Sequence, residues 1–184
     1  MLDKSEKRIV IIGAAGTGKS TLAKALSKRL KLKLIPEQAR IICKKLDYNN
    51  IYEIKNQKEF RFLVLKEQIK LEEKYNDFIS DRSTIDCWVH FIRWNYESAK
   101  SYESEKYFNV SYSQALKYTC IIYIPRTIKL KNDGFRWTDN NYQNQLDRLF
   151  NDILLEWDLM HRTIILKSLK IKDRINEVLT NTYF

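Results

Sequence analysis

Glycine, proline, cysteine and histidine are all scarce in this chain, at four, two, three and two of 184 residues. Each shortage excludes something. With so little glycine and proline there is no Pro- or Gly-rich linker, so residues 1–184 read as one domain, long enough to bury a core. Cys43, Cys87 and Cys120 lie far apart, show no metal-type spacing and cannot all pair. That excludes a disulfide framework and fits reduced thiols in the cytoplasm. His90 and His161 stand alone, which speaks against a histidine-centred site. No apolar run approaches the ~20 residues of a membrane span. The polar start, Met1 to Lys7, lacks the apolar core of a secretion signal. Internal repeats and low-complexity stretches are absent too.

What is present is a soluble composition, 30% charged and 44% hydrophobic, with a net charge of +10. The lysines are scattered (Lys28, Lys31, Lys44, Lys66, Lys129) and form no dense basic run. A solvated surface around a site for an anionic small substrate accounts for that pattern, and a nucleic-acid partner is the second reading.

Three of the four glycines fall within six residues, in Gly13-Ala14-Ala15-Gly16-Thr17-Gly18-Lys19-Ser20, followed by Thr21. The run fits G-x-x-x-x-G-K-[ST], a loop whose backbone N–H groups cradle phosphate oxygens. Lys19 then reaches the β- and γ-phosphates of ATP, and the Ser20 hydroxyl binds Mg²⁺. The context agrees. Residues 8–12, Arg-Ile-Val-Ile-Ile, read as a buried parallel strand, and Leu22, Leu26 and Leu30 mark an amphipathic helix from Lys19 onward. The alternative is a tight strand–helix turn with a chance lysine.

Further strands are expected at residues 32–35, 78–80, 119–124 and 163–166, with Pro36 and Pro125 just past two of their ends. Helical patterns cover 58–74, 85–96, 143–157 and 172–179, while 96–113 reads as a polar excursion. Alternation of strand and helix implies an α/β fold, a five-stranded parallel sheet with helices on both faces. Ligands of such sheets sit beyond the carboxyl ends of the strands, so the residues there are the candidates.

After the second strand stand Glu37 and Arg40, three apart. Glu37 can take the proton of an attacking hydroxyl or bind the sugar, and Arg40 can fix the acceptor. A helix-start glutamate beside a surface arginine is the bland alternative. After the third come Asp81, Arg82, Ser83 and Asp86. Asp81 supplies a second Mg²⁺ contact with Ser20, and Arg82 offsets charge on the moving phosphoryl group or grips the acceptor. Asp86 binds substrate or only caps its helix. After the fourth come Arg126 and then Asp133-Gly134-Phe135-Arg136, whose two arginines suit a lid over the triphosphate. Trp88, Trp94, Phe60 and Phe62 are core aromatics by spacing, with one of them available to stack on a ligand ring.

The ordered set of Gly13–Ser20, Pro36-Glu37-x-x-Arg40, Asp81-Arg82-Ser83-x-x-Asp86 and Asp133-Gly134-x-Arg136 resembles one family over nearly the whole chain. It is similar to small P-loop kinase-type domains, labelled AAA-type ATPase domains, that include the nicotinamide riboside kinase domain of bifunctional proteins. The second and third elements also resemble those of deoxyribonucleoside kinases. The resemblance implies a three-layer P-loop NTPase fold and transfer of the ATP γ-phosphoryl group to a nucleoside-like hydroxyl. It implies Glu37 as base, Asp81 on Mg²⁺, Arg82 on the reacting groups, and Arg136 and Arg126 as lid arginines. The lid is expected to be short, and an adenylyltransferase half is not expected within these 184 residues. Two rival readings stay open: a polynucleotide 5′-hydroxyl kinase, and a nucleotide-gated binding module with weak ATPase activity. The chain is expected as a monomer or homodimer without a membrane partner.

Overall fold

The computed structural model describes residues 6–95, 97–126 and 139–182. Five short strands, β1 (Arg8–Ile12), β2 (Lys33–Ile35), β3 (Phe78–Asp81), β4 (Cys120–Tyr123) and β5 (Thr163–Ile165), form one sheet. Their order is β2-β3-β1-β4-β5 and every pairing is parallel. Seven helices connect and follow them: α1 (Lys19–Leu30), α2 (Gln38–Lys45), α3 (Gln57–Lys74), α4 (Thr84–Asn95), α5 (Ser101–Ala115), α6 (Asn140–Glu156) and α7 (Ile171–Asn181).

β1 is central, and Ile9 through Ile12 are fully buried. Because side chains alternate along a strand, they divide between the two faces. Val10 and Ile12, with Phe78, Ile121 and Tyr123, meet α4, α6 and the end of α5 through Ile85, Val89, Leu146 and Phe150. Ile9 and Ile11, with Ile79 and Ile122, meet α1 and α7 through Leu22, Leu26 and Val178. The fold is thus the expected three-layer α/β arrangement of a P-loop NTPase. A third apolar cluster joins α2, α3, α4 and α5 through Cys43, Phe60, Leu65, Phe91 and Tyr107. It makes a helical wall beyond the carboxyl ends of β2 and β3.

The segment read as a polar excursion is largely α5, and this is the main correction. Its buried face holds Tyr107, Ser111, Gln114 and Ala115, a helical spacing with only two apolar members. Gln114 donates to Glu72 at 2.8 Å, and the backbone carbonyl of Ser111 accepts from Thr84 Oγ1 at 2.9 Å, while the Ser111 hydroxyl is buried without a partner among the described residues. At its start Glu103 accepts from the Lys100 N–H and from Lys58. Helix α6 starts three residues earlier than its apolar pattern, because Asp139 accepts from the Tyr142 N–H at 2.6 Å and caps it.

Candidate active site

The glycine-rich loop leaves β1 and turns straight into α1. Gly13 has φ +136°, and a Cβ there would lie 2.5 Å from the Ile124 carbonyl oxygen, so the loop packs against the end of β4 with no room for a side chain. Gly16 and Gly18 also have positive φ. Gly18 is the N-cap of α1 with no side-chain cap, and the first turn carries no acidic residue, so the helix start is left to an anion. Lys19 is buried, its Nζ donating to the Ala14 carbonyl at 2.6 Å. Thr17 Oγ1 donates to the same carbonyl. Ala15 is buried in the loop, while Ser20 and Thr21 face outward at the start of α1. An arginine that sequence reasoning missed braces the loop from behind: Arg174 of α7 donates to Thr17 O at 2.6 Å and to Ser168 O at 2.8 Å.

The adjacent strand end carries the charge cluster. Asp81 is paired in register with Ile11, and the Arg82 N–H donates to Ile11 O. Arg82 itself sits at φ +83°, a conformation costing a side-chain-bearing residue about 1–3 kcal/mol and concentrated at functional sites. The turn aims its guanidinium back at two carboxylates. Nε donates to Glu37 Oε1 at 2.8 Å and Nη1 to Asp86 Oδ1 at 3.0 Å, with His90 Nε2 at 3.4 Å. Burial by itself lowers the Arg82 pKa, but Glu37, Asp86 and Asp81 outweigh it and raise it, so the guanidinium stays charged. Burial pushes Asp86 up to about 6, against the pull of Arg82 and Lys19.

Glu37 is the residue just before α2, yet its side chain makes no cap hydrogen bond to that helix. It turns to Arg82, and Arg40 stands 3.7 Å from its other oxygen, half exposed. Glu37 thus stands at a helix start beside a half-exposed arginine, as the bland alternative has it, and also pairs with the buried Arg82. Asp86 Oδ2 accepts from the Ser83 N–H and Oγ while Oδ1 takes Arg82, so both oxygens have protein partners. Asp81 differs: its Oδ1 is buried with no hydrogen-bond partner among the described residues. An acceptor-only oxygen left in that state beside a phosphate loop fits a cation. Ser20 and Asp81 are the residues that would hold Mg²⁺.

Arg126 lies at the end of β4 and is tied to the start of α6. Its N–H donates to Asp147 Oδ1 at 3.0 Å, and its guanidinium donates to the Asn140 carbonyl and to the Asn144 side chain. Arg136, with Asp133 and Gly134, lies outside the described residues.

Glu37, Arg82 and Asp86 open onto a cleft walled by Arg61, Trp94, Tyr107 and Tyr142. Trp94 is the sequence-noted aromatic that reaches it, donating Nε1–H to Tyr142 OH at 3.0 Å. Trp88, Phe62 and Phe91 stay in the core, where Trp88 stacks on Phe91. Behind the cluster runs a buried network with no apolar signature. Gln68 and Glu72 of α3 meet Ser80, Gln114 and Tyr118, and Tyr118 OH accepts from the Thr84 N–H at the start of α4.

Residues 8–174 match the family model described as AAA domain. The chain belongs to the AAA domain family. Its fold is shared with solved P-loop kinases at low identity. NadR protein in complex with NR is 17% identical with a TM-score of 0.77, covering 97% of this chain and 52% of its own. Deoxyadenosine kinase from M. mycoides with products dCMP and dCDP is 18% identical with a TM-score of 0.67, covering 94% and 96%. Thymidylate kinase from Candida albicans is 17% identical with a TM-score of 0.66, covering 95% and 90%. The chain spans about half the length of the NadR chains it matches. No curated protein matches the sequence. Among the described residues no helix is long and apolar enough to cross a membrane.

Proposed function

We propose that this chain is an ATP- and Mg²⁺-dependent phosphotransferase whose acceptor is a small nucleoside or nucleotide. The observation that carries the reading is Arg82, strained at the end of β3, clamped between Glu37 and Asp86 and opening onto a cleft beside the glycine loop. Phosphoryl transfer demands positioning and charge neutralisation more than covalent chemistry. Backbone N–H groups of Gly13 to Thr21 hold the triphosphate, and Lys19 swings from Ala14 O to the β- and γ-phosphates. Ser20 and Asp81 would hold Mg²⁺, which would supply neutralisation of charge on the phosphate oxygens. Arg82 meets the transferring group, and Glu37, paired with Arg82 and Arg40, orients the acceptor hydroxyl and accepts its proton. Asp86 acts through Arg82 as a positioning residue. Arg136 and Arg126 are proposed as closing cations over the nucleotide.

The neighbours support the substrate class without naming the substrate: NadR was crystallised with NR and with AMP-PNP, and deoxyadenosine kinase with deoxynucleotides. We further propose that residues 1–184 act as one unit in the cytoplasm, where the buried thiols of Cys43, Cys87 and Cys120 stay reduced. The test is phosphate transfer from labelled ATP to panels of nucleosides, nucleotides and 5′-hydroxyl oligonucleotides. Transfer to a small acceptor is expected, and Glu37→Gln should cut it about 10²–10⁴-fold while nucleotide affinity holds. Normal transfer by Glu37→Gln refutes the base assignment. Transfer only to oligonucleotides, weakening steeply with salt, replaces the reading with a polynucleotide kinase.

A further inference from the structure

The acceptor cleft contains a cation that the phosphoryl-transfer machinery does not use. Arg61 of α3 is 5% exposed and lines the cleft with Arg82 and Glu37. Its Nε is buried without a hydrogen-bond partner, and no carboxylate among the described residues forms an ion pair with it. The titratable groups bearing on it are Tyr107, Tyr142 and Cys87, which are not acids of ordinary strength, and Arg82, which repels it. Arg82 by contrast is paired with Asp86 and with Glu37, a carboxylate that Arg40 also approaches. The Phe60 ring, 5.6 Å from the Arg61 guanidinium, offsets only a small part of its charge. Arg8, another buried arginine with unpartnered nitrogens, lies at the opposite, amino end of β1, within electrostatic reach of the buried Glu72. A buried guanidinium with no counter-ion is costly to keep in a fold and is relieved by an incoming anion.

Resting on the kinase reading above, we propose that Arg61 is the counter-ion for an anionic group, phosphate or carboxylate, carried by the acceptor. The acceptor is therefore an anion, such as a nucleotide or a hydroxy acid, and not a neutral or cationic nucleoside. A permanently positive base, as in nicotinamide riboside, would meet Arg61 with like charge.

The experiment measures ADP release and thermal melting on the full chain with Mg·ATP. The acceptors are adenosine, cytidine and thymidine, their 5′-monophosphates, quinate and nicotinamide riboside. The monophosphates or quinate are expected to exceed the neutral nucleosides in kcat/KM by about 100-fold, and which of the two does so separates phosphate from carboxylate. Arg61→Met should erase that preference, leave KM for ATP unchanged, and raise the melting temperature of the free protein by relieving a buried charge. Arg61→Lys should keep part of the preference. A structural arginine would instead lower the melting temperature on replacement and leave acceptor choice alone. That result, or a preference for neutral or cationic nucleosides by the wild type, overturns the proposal. The kinase reading fails on different data, namely no binding of Mg·AMP-PNP and no ADP release. Even then, a melting-temperature rise with anions that Arg61→Met abolishes would support Arg61 as an anion site, and its absence would refute it.

Discussion

Glu72 gives the fold a pH dependence that can be worked from its surroundings. It is fully buried on α3 and accepts from Gln68 at 2.7 Å, from Gln114 at 2.8 Å and from Tyr118 OH at 3.0 Å. Burial pushes its pKa from 4.5 up to about 7, against the pull of those three donors and of Arg8. The folded state therefore prefers the protonated acid. Its contribution to stability is complete below pH 4.5, declines as pH rises, and is lost once pH passes about 7. At about 1.4 kcal/mol per pH unit the gap amounts to about 3 kcal/mol. Glu72→Gln is neutral throughout and should erase that term, at a cost of about 1 kcal/mol at low pH for one mismatched hydrogen bond. Urea unfolding followed by tryptophan fluorescence, run from pH 5 to 8.5, measures the difference between the two proteins. The raised Asp86 titrates in both and cancels. With a urea slope of about 2–3 kcal/mol/M, the wild-type midpoint should fall by about 1 M or more relative to the variant across that range. A difference that stays flat with pH, or one that favours the wild type as pH rises, refutes the protonated buried acid.

Two predictions concern the glycine loop. Arg174→Ala removes a charged donor from Thr17 O and should weaken AMP-PNP binding about 10-fold by calorimetry while the fold persists, in line with about 1.5–3 kcal/mol for a charge-assisted bond. Gly13→Ala puts a Cβ against Ile124 O at a φ that disfavours it, and thermal melting should show a marked loss of stability together with loss of nucleotide binding.

The sheet was legible because β1 and β4 are short apolar runs with β-branched residues, and two strands stop at a proline. The loop was legible because its function requires glycine at fixed offsets. Helix α5 was not: periodicity is read from apolar residues, and its buried face replaces some of them with Ser111 and with Gln114, whose partner Glu72 lies on α3. The same reason hid Gln68 and Glu72. In the site, Glu37 and Arg82 could be named from strand ends, but not their 2.8 Å pairing across 45 residues or the positive φ that makes it. Arg61 looked like any charged residue on an amphipathic helix. Only burial without a counter-ion sets it apart. Arg174 is 157 residues from the carbonyl it holds, and no local signal marks it.

The account depends on the glycine loop gripping a triphosphate through Lys19. Calorimetric titration with Mg·AMP-PNP tests this most directly. Saturable one-to-one binding is predicted, weakened about 10- to 100-fold by Lys19→Ala in a protein that melts normally. No detectable binding by the wild type, or equal affinity in Lys19→Ala, would contradict it.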